Sequence, residues 1–408
     1  MAESGRASRL AILGSMYLAQ GIVYGFGGFI LLPTLAAGGV SLEAQAGILA
    51  LAGLPWVLKL LWAPLLDRFG GIASGRARAF AAVAMLGMAA ALVGLASPDD
   101  LIAVPQTVAW LWLLLNVSLS LQDVCTDALV LDLVPASERG MANGVLLGGH
   151  RVGSEGIGGV ALGMLVASQG LSVALWGQAL LMLVLAGLPL LLKRPESVVS
   201  ASQRAEQAGL KAALAELLRS RSTVTVALVA AIAFSAEVLT STVSATFWIQ
   251  RLQWSVEDLS GVLAPLVLVS NLVAFGLAAL TVDRYGHRRS AVAGSILLGC
   301  LWAGFGVVPG LWDARGFMMA FVAIQALPTA MLYVGLHALF MDATNPTLRA
   351  SHFAVLMALL NLPRVVVAPM APGLLESLDY EGLWIASGVF QVVVALAIAR
   401  APIAATQR

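Results

Sequence analysis

One short loop sequence occurs twice in the chain, at corresponding points of its two halves. Asp67-Arg68-Phe69-Gly70 and Asp283-Arg284-Tyr285-Gly286 lie 216 residues apart in a chain of 408 residues. Each copy follows an apolar stretch that is long enough to cross a bilayer, and each is followed by arginines and a second such stretch. The repetition predicts a duplicated bundle of membrane helices, in which a solute would bind between the two halves.

The composition and the spacing of apolar stretches agree with a membrane protein. Hydrophobic residues make up 60% of the chain and charged residues 11%, whereas soluble domains carry about 25% charged residues. We therefore expect an all-α membrane protein of twelve transmembrane helices in two pseudo-symmetric six-helix bundles. The predicted spans are 10–36, 44–66, 79–97, 106–134, 141–167, 172–192, 223–250, 259–281, 290–309, 317–341, 351–375 and 383–400.

The distribution of positive charge predicts the orientation of these helices. With the amino terminus inside, the inside segments carry 18 lysines and arginines, and the outside loops carry only Arg251 and Arg315. Positive charge is retained on the cytoplasmic side of membrane proteins. We expect a multi-pass protein of the cell (inner) membrane with both termini in the cytoplasm. Residues 1–193 and 223–408 would form the two bundles, and the polar stretch 194–222 would be the cytoplasmic linker between them.

The end of the second predicted helix resembles a known family. Residues 54–70 end in a sequence similar to the Gly-x-x-x-Asp-Arg-x-Gly-Arg-Arg loop signature of the major facilitator superfamily, and the second copy of the loop is similar to the weaker repeat of that signature. Two departures are visible. Ala63 and Ala279 stand where the leading glycine would be, and residues 71–74 are inserted in the first copy. The resemblance implies the twelve-helix fold of that superfamily.

Charged residues at the predicted cytoplasmic helix ends are candidate gating residues. In the superfamily the loop aspartate and arginine latch helix ends, and a carboxylate beside arginines can form a charge-assisted pair in one state only. A second internal match supports the duplication, since an aspartate precedes an arginine by seven residues at both the fourth-to-fifth and the tenth-to-eleventh turns. A static topological anchor is the alternative. The candidate gating residues are Asp67, Arg68, Asp132, Arg139, Asp283, Arg284, Asp342 and Arg349.

The first half resembles one branch of the superfamily in more detail. Residues 20–26, 54–70, 122–129 and 138–144 are similar to a branch that holds the anhydromuropeptide permease, the acetyl-CoA transporters and inner-membrane importers of siderophores. Residues 126–129 and 138–144 are nearest to the siderophore importers. The resemblance implies secondary active transport by alternating access, with proton-coupled import of a medium-sized polar solute such as a siderophore or its iron complex. An anhydromuropeptide, an acyl-CoA or another anionic metabolite is an alternative substrate. A membrane sensor with a transporter fold is a different class of function.

Charged residues within predicted helices 4 and 5 are candidates for the transport site. Asp123 and Asp127 are four residues apart and share a helix face. At 1.5 Å per residue they lie roughly 16 Å and 10 Å from the predicted cytoplasmic end, and Arg151 lies at a depth similar to that of Asp123. Glu155 is one turn beyond Arg151. Because charges inside a membrane usually pair or face water, we predict a cluster of these four residues. Its role is either to tie the two helices together or to bind substrate or protons.

Further polar residues lie within other predicted helices. Gln20 and Tyr24 are four residues apart on helix 1, which lines the cavity of the superfamily together with helices 4, 7 and 10. Lys59 is the only lysine within a predicted span and is a candidate for binding an anionic substrate. Helix packing and snorkelling of the lysine are the alternatives. The candidate substrate-binding residues are Gln20, Tyr24, Lys59, Asp123, Asp127, Arg151, His337 and Arg364.

Glu237 is the first candidate for proton coupling, and Asp127 is the second. Glu237 lies in predicted helix 7 among serine and threonine hydroxyls, and no cation lies within four residues of it. Such a carboxyl group could exchange a proton near neutral pH while the hydroxyls bind either protonation state. The alternative is a neutral acid that only forms hydrogen bonds between helices.

The sequence contains no motif for other kinds of chemistry. The net charge of +1 does not suggest a nucleic-acid partner. The sequence has no Walker motif, metal-ligand cluster or nucleophile–histidine set, so we expect no enzyme activity, no cofactor and no metal. The many glycines of predicted helix 5 predict close helix packing in a membrane. The expected partners are a small-molecule substrate, protons and membrane lipid, and the expected state is a monomer.

Overall fold

The computed structural model describes residues 2–62, 76–135, 138–192, 221–343 and 349–402. Of residues 2–5, 131–132, 139–140, 221–222 and 349–352 only the backbone is described. All regular elements within these ranges are helical, and ten stretches are long and apolar enough to cross a membrane. The number is ten and not twelve because helix 5 does not meet the apolar criterion and because helices 11 and 12 count as one stretch. Helix 5 is less apolar because of its glycines and charges, and helices 11 and 12 follow each other without a loop.

The first six helices begin within two residues of the predicted positions, except helix 1, which begins eight residues earlier. They are helix 1 (2–37), helix 2 (Leu42–Leu61), helix 3 (Ala77–Ala96), helix 4 (Pro105–Leu133), helix 5 (139–169) and helix 6 (Leu171–Leu191). Ser41 forms the N-cap of helix 2, where its side chain accepts a hydrogen bond from the amide of Ala44. Gly170 joins helices 5 and 6 with φ +90°, a conformation that glycine adopts without steric cost.

The second six helices are interrupted more often than the first six. They are helix 7 (221–251), helix 8 (Val256–Tyr285), helix 9 (His287–Val307), helix 10 (Arg315–Asp342), helix 11 (349–378) and helix 12 (380–400). Helix 7 is broken by a turn at residues 233–234. Helix 11 is irregular over residues 361–370, where Pro363 removes a backbone donor. Helix 11 passes into helix 12 at Asp379, which has φ 53°.

The chain divides into two compact units. Met1–Gln203 and Trp254–Pro265 form one, and Arg204–Gln253 and Leu266–Arg408 form the other. The start of helix 8 therefore belongs to the first unit. The bundle boundaries at residues 193 and 223 stay predictions of the sequence, because the linker lies outside the described residues.

One local interaction occurs in both halves of the chain. Arg78, at the start of helix 3, donates a hydrogen bond to the carbonyl oxygen of Leu192 after helix 6. Arg288, at the start of helix 9, donates to the carbonyl oxygen of Ala401 after helix 12, at 2.9 Å. Basic side chains suit the unsatisfied carbonyls at helix C-termini. The donors are 210 residues apart and the acceptors 209 apart, so the third and sixth helices of the two bundles correspond to within one residue.

Helices 1 and 5 pack with their backbones in contact. A Cβ atom built on Gly21 would overlap the carbonyl of His150, and one built on Gly25 would overlap the carbonyl of Ser154. From the opposite side, a Cβ atom on Gly149 would lie 2.6 Å from the carbonyl oxygen of Gly14. The prediction that the glycines of helix 5 serve close packing is confirmed for Gly149, Gly153 and Gly158, whereas a Cβ atom on Gly144 or Gly148 would meet nothing within 4 Å. Such packing is a common means of association between membrane helices.

Candidate functional site

Lys59 lies in an irregular turn of helix 2 and forms an ion pair with helix 4. The α-helical part of helix 2 contains Pro55 and ends at Val57, and Leu58–Leu61 form a 3₁₀ turn. From this turn the Lys59 ammonium lies 3.5 Å from Asp123 Oδ2, with 18% and 9% of the two side chains exposed. Charges removed from water to this degree are costly to bury, and each would be more costly without the other as its partner. Lys59 and Asp123, both predicted as site residues, are thus brought together.

The second oxygen of Asp123 is held from helix 1. Gln20 Nε2 donates to Asp123 Oδ1 at 3.2 Å and to Gln122 Oε1 at 2.6 Å. Gln122 in turn donates to the carbonyl of Met16 at 3.1 Å. Gln20 is buried, so its side-chain amide holds the carboxylate of Asp123 in one orientation. Gln122 is part of this network and was not among the predicted site residues.

Asp127 lies one turn from Asp123 in a different environment. The side chain of Asp123 is buried and that of Asp127 is exposed. Tyr17 on helix 1 donates to Asp127 Oδ1 at 3.4 Å. Tyr17 was not predicted as a site residue, although its spacing from Gln20 and Tyr24 placed it on the same helix face. A carboxylate that is exposed at this depth of a membrane helix is typical of a residue that faces water or a substrate path.

Arg151 and Glu155 form an ion pair within helix 5. Arg151 Nη1 lies 3.1 Å from Glu155 Oε1, and Glu155 is buried. After Arg151 the helix becomes a π-helix over Val152–Ala161. Segments of this kind are frequent at functional sites. The Arg151–Glu155 part of the predicted cluster is present, whereas an interaction of Arg151 with Asp123 or Asp127 stays a prediction.

Aromatic rings lie beside these charges. The ring of Tyr24 lies 5.9 Å from that of Trp56 and 5.5 Å from that of His150. The indole of Trp56 donates to Asn116 at 3.1 Å, which fixes the ring against helix 4. Ring faces of this kind bind planar or cyclic groups. We call the following residues the first-bundle cluster: Tyr17, Gln20, Tyr24, Trp56, Lys59, Asp123, Asp127, His150, Arg151 and Glu155.

The candidate residues of the second bundle lie near the breaks in its helices. His337 hydrogen-bonds the carbonyl of Tyr333 at 2.8 Å and stacks on its ring at 4.6 Å. Tyr333 also stacks on Phe234 at the break in helix 7, with ring centroids 4.9 Å apart. Glu237 is half-buried one turn after this break. Arg364 lies in Leu362–Val366, a segment that packs against both parts of helix 7.

The predicted gating residues are only partly described. Asp67 and Arg68 lie outside the described residues, as do the side chains of Asp132, Arg139 and Arg349. Asp283 is exposed, and Arg284 lies over the ring of the neighbouring Tyr285 at 5.6 Å. Asp342 at the end of helix 10 lies 2.6 Å from Nδ1 of His287, which follows the second copy of the loop signature. The gating roles stay predictions.

Two interactions at these helix ends were not predicted from the sequence. His287 is one, since a histidine directly after a loop glycine gave no signal of its partner. Glu138 is the other, and its carboxylate lies 3.0 Å from Arg9 and 3.4 Å from Arg6. These contacts connect the turn between helices 4 and 5 to the start of helix 1. Within the described ranges, no group of three or more histidine, cysteine or acidic side chains could hold a metal ion.

The chain is similar to known membrane transporters. Residues 13–309 match the family model described as Major Facilitator Superfamily. Anhydromuropeptide permeases of Escherichia coli (strain K12) and Escherichia coli O157:H7 are 26% identical over 344 residues, which cover 84% of this chain and 69% of each relative.

Solved structures of transporters share the fold at low sequence identity. The nucleoside transporter NupG has a TM-score of 0.71 and 14% identity, over 97% of this chain and 98% of that chain. A D-xylose-proton symporter has a TM-score of 0.72 and 16% identity, over 97% of both chains. A bacterial homolog of the human lysosomal transporter Spinster has a TM-score of 0.72 and 14% identity, over 97% and 96%.

Proposed function

The chain belongs to the major facilitator superfamily, and from this premise we propose that it imports a carboxylate-bearing polar solute of medium size together with protons. The chain is an integral, multi-pass secondary transporter. The proposal concerns the identity of its solute and of its coupling ion. The observation that carries the proposal is the buried ion pair of Lys59 and Asp123 beside exposed Asp127. Charged side chains inside a membrane protein are energetically costly, and those that occur there usually serve binding or coupling.

The first-bundle cluster offers the groups that an anionic solute with a ring would need. The ammonium of Lys59 and the guanidinium of Arg151 can bind a carboxylate, and Arg151 can do so through two parallel hydrogen bonds. Tyr24 and Trp56 offer ring faces at which a sugar or another cyclic group can pack. Pockets that combine apolar surface with a few polar groups are typical of small-molecule sites.

Two substrate classes fit these groups. An anhydromuropeptide joins sugar rings to a peptide with free carboxylates, and the curated relatives that match 84% of the chain are permeases for such compounds. A siderophore or its iron complex is the second class, and it is favoured by the resemblance of residues 126–129 and 138–144 to siderophore importers. The wide coverage of the permease match makes the anhydromuropeptide the first substrate to test.

Uptake into proteoliposomes tests the proposal. Purified protein is reconstituted and given radiolabelled anhydromuropeptide, siderophore and acetyl-CoA in turn, with and without an inward proton gradient. We expect saturable uptake of one anionic compound that the gradient drives above equilibrium. Vesicles without protein serve as the control for leak. Binding of a compound without any accumulation would favour a sensor with a transporter fold.

We also propose that the protein lies in the inner membrane with both termini in the cytoplasm. The support is the excess of positive charge in the segments predicted to be inside. Single cysteines introduced at Ser200 and Asp99, in a variant without Cys125 and Cys300, should react with an impermeant reagent from opposite sides of the membrane. Labelling of both from one side would contradict this orientation.

A further inference from the structure

Helix 12 carries three buried polar atoms that have no hydrogen-bond partner among the residues that the structure describes. They are Trp384 Nε1, Ser387 Oγ and Gln391 Oε1, on residues that are 7%, 1% and 1% exposed. The spacing of three and four residues places them on one helix face, over a length of roughly 10 Å. Buried polar groups in proteins are almost always hydrogen-bonded, so three on one face require an explanation.

This face is closed off by helix 9. Gln391 Nε2 donates to Ser295 Oγ at 2.7 Å, and Ser295 Oγ donates to the carbonyl oxygen of Gln391 at 2.9 Å. A Cβ atom on Gly299 would lie 2.6 Å from the carbonyl oxygen of Gly388, so the two backbones are nearly in contact there. Ser387 is therefore held within the seam between the helices and cannot turn outward to find a partner.

The first bundle has an unsatisfied side chain at the same place. The bonds made by Arg78 and Arg288 give helices 6 and 12 a register of 209 residues, which aligns Gln178 with Ser387. Gln178 is fully buried, and in the described part of the chain neither its side-chain nitrogen nor its side-chain oxygen has a hydrogen-bond partner. Helix 6 packs against helix 3 as helix 12 packs against helix 9. The feature thus occurs in both bundles.

The chemistry of these groups identifies the ligand. They comprise an indole donor, a hydroxyl and two amides, and together they need both donors and acceptors. None of them is charged, so an ion would gain no counter-charge from them. We propose that each bundle binds water between its third and sixth helices, with one site at Gln178 and a short row of waters along Trp384, Ser387 and Gln391. A buried water usually makes two to four hydrogen bonds, and these side chains can supply them.

Hydroxyl-radical footprinting of the protein in native-like membranes tests the proposal, because radicals formed from bound water label the side chains next to it. Trp312 is the control, since it is fully buried in the second bundle and its indole already donates to the carbonyl oxygen of Phe305 at 3.0 Å. We expect Trp384 to be labelled several-fold faster than Trp312. In the variant Ser387→Val, which fills the water position, the rate at Trp384 should fall to that of Trp312. Equal rates in the parent protein would overturn the proposal.

Thermal unfolding gives an independent result if the valine variant does not fold. If the seam is hydrated, Ser387→Ala and Gln178→Leu each remove hydrogen bonds to water, and Tm falls. If the seam is dry, the same substitutions remove an unsatisfied group, and Tm rises. Ser377→Ala, at an exposed position of helix 11, controls for loss of a hydroxyl elsewhere. A rise in Tm for both seam variants would overturn the proposal. Neither readout depends on the transported solute.

Discussion

Helices 1 and 5 of the first bundle and helices 7 and 11 of the second occupy corresponding positions of the duplicated chain and are built differently. Helices 1 and 5 are rich in glycine, and their backbones touch. Residues 221–251 of helix 7 and 349–370 of helix 11 contain no glycine, so side chains separate these two helices. Helices 7 and 11 are instead interrupted within their length, at residues 233–234 and 361–370.

The difference suggests that the two bundles have different mechanical roles. Backbones in direct contact fix the positions of Gln20 and Arg151, which lie on helices 1 and 5, so the first-bundle cluster is held in a defined geometry. In the second bundle the polar candidates Glu237 and Arg364 lie at or next to helix interruptions. Short irregular segments are where helices bend when a protein changes state. Four predictions test this contrast, and they are given in order of decreasing expected effect.

The largest effect is expected from Gly25→Ala. The added methyl group would overlap the carbonyl of Ser154, and neither backbone can yield without separating helices 1 and 5. We expect loss of folded protein in size-exclusion chromatography. Gly28→Ala on the same helix is the matched control, since its Cβ atom would meet nothing within 4 Å, and it should behave as the parent protein. Similar yields for both variants would mean that helices 1 and 5 are not in close contact.

Lys59→Met should abolish uptake and lower stability by ~3 kcal/mol, because the buried carboxylate of Asp123 loses its cation. Stability is measured by thermal unfolding in detergent and uptake in proteoliposomes. Adding Asp123→Leu to Lys59→Met should restore Tm while uptake stays absent, which separates a structural from a functional role. Additive losses of stability in the double variant would mean that the two residues do not interact. Lys59→Arg keeps the charge and is the matched control.

Glu237→Gln should leave binding and exchange of the solute nearly unchanged and remove accumulation driven by a proton gradient. The amide mimics the protonated carboxyl, so one half of the proton cycle is missing. The measurement compares exchange with net accumulation in the same vesicles. Proton-driven accumulation by this variant would place the coupling residue elsewhere, and Asp127→Asn should then be tested in the same assay.

The smallest effects are expected at the helix ends. Arg78→Gln and Arg288→Gln each remove a cation from a helix C-terminus and should lower stability by about 1 kcal/mol. The two losses should be similar, because the bond occupies the same place in both bundles. Arg289→Gln, at an exposed neighbouring position, should have no effect on Tm. Unequal losses would show that the two bundles have diverged at this point.

The sequence predicted the architecture better than it predicted the pairing of charges. Apolar length, charge asymmetry and the repeated loop predicted twelve helices, because these signals depend on composition and not on register. The partner of Asp123 was missed because Lys59 lies in a 3₁₀ turn after Pro55, where the spacing of a regular helix no longer applies.

The same limitation affects helix 5 and the loops. A face assigned at 3.6 residues per turn rotates away over the ten residues of the π-helix Val152–Ala161.

One repeated signal in the sequence was overlooked. Ser41 and Ser255 each begin a helix as its N-cap, and a glutamate follows each of them two residues later. This pattern would have indicated where helices 2 and 8 start.

The hydrogen bond between an arginine and a carbonyl just after the sixth helix of each bundle also bears on the history of the chain. Arg78 and Arg288 make this bond at the same place in both halves. The simplest origin is a single ancestral gene for one six-helix unit that already had this closure before the gene was copied and fused. Such an ancestor would have had to fold without a covalently attached second half. Its descendants, the two halves of the present chain, should then tolerate being expressed as separate polypeptides divided within residues 194–222.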